Sequence, residues 1–140
     1  MVAAATLHAF STELLVGSMT LSVLATVLCL GESILDKFGR SVLSGLDFAA
    51  YFSAIFSLCC IPLVVLTGTA SGDASSSPFL VNKMLLSGLC LGLWIGVIHG
   101  RYAWGPELWS DRKKGIFHVV LVGLGYGPAA MLGSIGSLMT

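Results

Sequence analysis

The sequence predicts an all-α integral membrane protein, a bundle of four transmembrane helices with both termini on the extracytoplasmic side, and its composition, apolar runs and charge placement each point that way. Of 140 residues, 56% are hydrophobic and only 10% are charged, with a mean hydropathy of +0.94. Soluble domains carry about a quarter charged residues, and much of any small domain's surface must face water. A chain this apolar takes lipid as its solvent.

About 20 mostly apolar residues are needed to cross the hydrocarbon core. Four stretches meet that length, at about 7–30, 48–66, 79–100 and 115–138. The first has no Lys or Arg before Lys37, so it lacks the charged start of a cleaved leader and reads as a retained helix. The connections are distinct in character. Residues 31–47 carry both charge signs, residues 67–78 are rich in Gly and Ser, and residues 101–114 are aromatic and basic. None is long enough for a second domain, so 1–140 reads as a single transmembrane domain.

Basic residues near the membrane stay cytoplasmic. Lys37 and Arg40 lie in the first connection, and Arg101, Arg112, Lys113 and Lys114 in the third, whereas the opposite side holds only Lys83. Both termini and the Ser75-Ser76-Ser77 loop are therefore expected outside. Tyr102, Trp104 and Trp109 are expected at the inner headgroup level, where amphipathic rings are favoured.

Lipid supplies no hydrophobic force between helices, so close packing relies on small residues. Gly88, Gly92, Gly96 and Gly100 repeat every four positions along the third helix, a glycine zipper that predicts a close contact within the bundle or with another subunit. In the fourth helix Gly123, Gly125 and Gly127 precede Pro128, which removes one backbone donor and predicts a kink. Ser11, Ser18, Ser22 and Thr26 form a hydroxyl stripe on the first helix, with Thr12 and Thr20 nearby. Such groups bond preceding carbonyls or a neighbouring helix.

Net charge is zero and no long basic run is present, which excludes a nucleic-acid groove. Cys29, Cys59, Cys60 and Cys90 all lie in apolar runs and read as small hydrophobes, not as a disulfide framework or a zinc site. No nucleophile, base and orienter constellation and no phosphate loop is recognisable, so no catalytic residue is assigned and no soluble substrate is inferred. No metal site is assembled from His99, His118 and Glu32, Asp36 or Asp47 by spacing alone.

Two groups of polar residues carry candidate chemistry. His99 closes the third helix and His118 opens the fourth at similar depth, so the pair offers axial ligands for a haem b between them, against the blander reading of two interfacial imidazoles. Glu13 is the one carboxylate inside an apolar span, and Lys83 near the same outer surface is its expected partner. His8, near the outer end of the first helix, reads as interfacial.

The opening Leu7-His8-Ala9-Phe10-Ser11, the Leu66-Thr67-Gly68 ending of the second helix followed by Gly72-Asp73, and the glycine-rich last helix resemble a widespread family of small four-helix bacterial and archaeal membrane proteins, a domain of unknown function. The resemblance implies the fold and no defined activity. Members typically show a His-Pro-x-x-x-His-Phe pattern where this chain has only His8, so no haem or metal role is carried over to it.

Taken together, the residues favour a non-catalytic accessory subunit of a larger membrane complex, of the respiratory or photosynthetic electron-transfer kind, with other integral membrane subunits and lipids as partners and an energy-transducing membrane as its home. The alternatives are a small electron carrier with haem b on His99 and His118, and a small transporter or channel built around Glu13 and the kinked fourth helix. The latter lacks a clear inverted repeat.

Overall fold

A computed structural model describes residues 2–35, 39–70 and 80–137; the Ser75-Ser76-Ser77 loop, Asp36 and Lys37 lie outside the described residues. The described residues are helical apart from short turns, and comprise α1 (Val2–Leu35), α2 (Arg40–Ala70), α3 (Leu80–Trp104), the single turn α4 (Glu107–Ser110) and α5 (Arg112–Ser137). Ala5–Leu35, Arg40–Ala70 and Val81–Trp104 are long and apolar enough to cross a membrane. The fourth long helix, α5, opens on Arg112, Lys113 and Lys114, and its apolar stretch begins at Gly115.

The helices outrun the expected bounds. A helix of 31 residues, such as α2, is about 46 Å long at 1.5 Å per residue, against about 30 Å of hydrocarbon. Hydropathy marks the part apolar enough to sit in lipid, while the helix continues through polar residues such as Glu32, Ser33, Arg40 and Asp47. Most of the expected 31–47 connection is therefore helix.

Where the chain does turn, glycine permits it. Gly39 (φ 88°) and Gly105 (φ 52°) take the left-handed conformation that other residues avoid. The Gly39 amide donates to Glu32 Oε1 at 2.8 Å, which ties the start of α2 back to the end of α1. The Gly105 amide donates to the Arg101 carbonyl at 3.1 Å and closes the last turn of α3. Asp111 then opens α5, its side chain accepting the Lys113 amide at 2.9 Å as an N-cap.

The long helices form a ring in which α1 lies beside α2 and α5, and α3 beside α5 and α2, so that α1 faces α3 and α2 faces α5 across the diagonals without close backbone approach. Met19, Trp94, Val97 and Val122 fill the centre. Small polar residues stitch the seams. Ser22 Oγ donates to the Ala50 carbonyl at 2.9 Å, the Ser18 and Ser57 hydroxyls lie 2.8 Å apart, and Thr20 meets the Tyr126 hydroxyl at 3.2 Å. Ser11, Thr12 and Thr20 also donate to carbonyls three or four residues back, so the hydroxyl stripe serves both its own helix and its neighbours.

Helices α2 and α5 run through Pro62 and Pro128 without interruption. Next to Pro128, the Gly125 carbonyl accepts hydrogen bonds from Trp94 Nε1 at 3.2 Å and from the Cys90 thiol at 3.6 Å. A Cβ at position 125 would stand 3.2 Å from Trp94 Nε1, a tight approach that the buried indole would have to relieve by moving. Gly127, two residues on, has nothing within 4 Å of its Cβ position. We expect Gly125→Val to cost about 1–3 kcal/mol through overpacking. Gly127→Ala should leave stability unchanged or slightly raised. Unfolding of the two variants in detergent checks the contrast, and equal losses would contradict it.

Candidate functional site

The densest polar cluster lies at the Gly39 end of the bundle. Asp47 sits in the second turn of α2 and Arg101 near the end of α3, and because these neighbouring helices run antiparallel the two meet at one level. Arg101 Nε donates to Asp47 Oδ1 at 2.7 Å and Nη2 pairs with Oδ2, the two-point geometry that a guanidinium offers a carboxylate. Trp109 Nε1 adds a third donor to Oδ1 at 2.6 Å. The guanidinium carbon also stands 6.0 Å from the Tyr51 ring centre.

Trp109 reaches this pair because α4 folds back under the bundle. Leu108 and Cys29 are fully buried and pack with Trp109 against Leu30, Leu43, Leu46 and Trp104. Of the three rings expected at the headgroup level, Tyr102 is largely open, at 78%, Trp104 is half-buried, and Trp109 is only 8% exposed and packs into the bundle. The carboxylate of Asp47 draws the indole inward.

His118, in the second turn of α5, is buried beside the same pair and makes edge-on contacts with Trp104 and Trp109, at ring separations of 6.4 and 6.0 Å. Its Nδ1 is buried without a hydrogen-bond partner. His118, Asp47, Arg101, Tyr51 and Trp109 line a cavity of about 10 Å³ together with Ser22 and Thr26. His99 does not line it and is exposed on the outer side of α3. The structure thus does not bring His99 and His118 to a shared void, and the cavity at His118 is far smaller than a haem. Among the described residues no three of His, Cys, Asp and Glu converge on a metal-sized point.

The remaining candidates lie elsewhere. Glu13 is exposed on α1 and Lys83 half-buried on α3, and no ion pair joins them because α1 and α3 face each other across a diagonal. Along the zipper, a Cβ added at Gly96 would lie 3.7 Å from Leu121 and one at Gly100 3.4 Å from Trp104 of its own helix, whereas at Gly88 and Gly92 it would have no described residue within 4 Å. Gly123 and Gly127 are open likewise, and Pro128 is buried. At the other end His8 Nδ1 lies 3.2 Å from Thr67 Oγ1, which is itself 3.2 Å from Ser11 Oγ. The His8 ring covers Gly68, where a Cβ would come within 3.0 Å. His8 is thereby an interhelical contact between α1 and α2, beyond the interfacial role expected of it.

Sequence reasoning passed over the Asp47–Arg101 pair, using Arg101 for orientation only. A signal for it was present. Asp47 immediately precedes the second apolar run and Arg101 immediately follows the third, so opposite charges flank antiparallel spans at equal depth.

Comparisons with known protein families, with curated proteins and with solved structures return no match to this chain. Of the motifs singled out in the sequence, the structure joins His8 and Ser11 with Thr67 and Gly68 in one contact.

Lysine cannot reproduce a planar two-point contact. Arg101→Lys is expected to lower stability by about 1–2 kcal/mol, and Trp109→Phe, which deletes one hydrogen bond to a charged group, by a similar amount. Equilibrium unfolding of the purified variants checks both, and wild-type stability in either would contradict the geometry.

Proposed function

We propose that this chain is a four-span, non-catalytic accessory subunit of a larger membrane-embedded complex, with α5 as its fourth span and both termini outside. The observation that carries the reading is the open glycine face of α3. Gly88 and Gly92 keep one side of that helix bare, yet among the described residues nothing lies within 4 Å of their Cβ positions, while Cys90, Trp94 and Val97 on the opposite side pack into the bundle. Bare helix backbone in lipid suits the close approach of another helix. Leu85, Leu89 and Ile95 flank it, each at least half exposed, so the surface is apolar as well as flat. The occupant proposed is a transmembrane helix of a different subunit.

The interior supports the same reading. Its polar groups are mostly bonded to one another, and the cavity at its polar end has room for little more than a water molecule. Such an interior suits a part that holds shape. The charge asymmetry supports the orientation, with six basic residues of seven on one side.

Purification of the native protein in mild detergent, with mass spectrometry and a visible spectrum, tests the proposal. Larger membrane subunits are expected to accompany the chain and to be lost from Gly92→Leu, whose side chain enters space empty within the chain. A wild-type chain found alone, or only with copies of itself, would contradict the reading, and a haem b band from the lone chain would replace it with an electron carrier. In a cysteine-free background, Ser76→Cys is expected to react with an impermeant reagent added outside and Ser110→Cys is not; the reverse pattern would invert the orientation.

A further inference from the structure

We propose that the cavity at the Gly39 end holds one internal water molecule, bonded to His118 Nδ1 and to the Asp47 carboxylate. His118 is 4% exposed and its Nδ1 is buried with no protein partner, a costly condition for a polar atom away from solvent. The ring borders a cavity of about 10 Å³, close to the smallest space that admits a water.

The lining selects the ligand. A water needs two to four polar partners, and beyond His118 the wall offers Asp47, the Tyr51 side chain and the Ser22 and Thr26 hydroxyl residues. A carboxylate has about four acceptor directions. Three donors already reach Asp47, from Arg101 Nε, Arg101 Nη2 and Trp109 Nε1, which leaves one for a water hydrogen. The Arg101 guanidinium disfavours a cation in this space and the Asp47 carboxylate disfavours an anion, while the volume excludes anything larger. A neutral molecule of one heavy atom that donates and accepts suits the polar part of the wall, the rest of which is Ala50, Ala54 and Val97. Its effect is to join His118 on α5 to Asp47 on α2, two helices whose backbones do not come close to each other.

An experimental structure of the full chain at about 2 Å resolution or better tests this. One isolated density peak is expected within hydrogen-bond distance, about 2.6–3.2 Å, of both His118 Nδ1 and an Asp47 oxygen. Nitrogen NMR of labelled native protein supplies a second readout, with magnetisation passing from water to the His118 ring nitrogen and lost in His118→Phe. An empty cavity, a reoriented ring with Nδ1 bonded directly to a protein group, a metal ion in the space, or no transfer from water would each overturn the proposal.

Discussion

An aspartate and an arginine placed at the end of an apolar bundle constrain everything around them. Neither charge is readily desolvated alone, and a pair withdrawn from water is tolerable only when its geometry is good and its remaining hydrogen-bonding capacity is filled. Asp47 and Arg101 meet these terms by two-point contact, and the third donor comes from Trp109. That demand accounts for the turn at Gly105, which lets the chain double back, for the fold of α4 under the bundle, and for the burial of Leu108 and Trp109 beneath α1 and α2. The helix ends that hydropathy assigns to a loop are thereby part of the folded core.

Glycine does two different things in the same molecule. Gly125 and Gly68 face inward, where an indole and an imidazole occupy the place a side chain would take. Gly88, Gly92, Gly123 and Gly127 face outward and meet none of the described residues. In lipid the inward kind fixes the bundle, because helix association there relies on close van der Waals contact and hydrogen bonds more than on apolar burial. The outward kind meets none of the described residues, and the proposal of a partner helix rests on that.

Helical class and apolar character were legible because both follow from composition and run length, as the runs beginning at Leu7, Phe48 and Phe79 show. Helix ends were not, since residues such as Asp47 are helical yet polar, and hydropathy reports the solvent and not the backbone. The inward or outward sense of each glycine was equally hidden. A four-residue spacing states that one face is bare, and only the ring order of helices states what lies opposite. The same ring order separates Glu13 from Lys83, which depth alone had put together. His118 shows the converse, since its depth was readable but its burial depends on α4 bringing Trp109 across it.

The dependence of the bundle's Gly39 end on its ion pair is open to direct measurement by a double-mutant cycle of Asp47→Asn and Arg101→Gln, read by equilibrium unfolding in detergent. Each single change strands a charge, and because the pair is not wholly shielded from solvent the expected loss is about 2–3 kcal/mol, somewhat below the ~3–5 of a fully buried pair. The double variant is predicted to lose less than the sum of the two by about 1 kcal/mol or more. Additive losses, or single variants as stable as the wild type, would contradict the account.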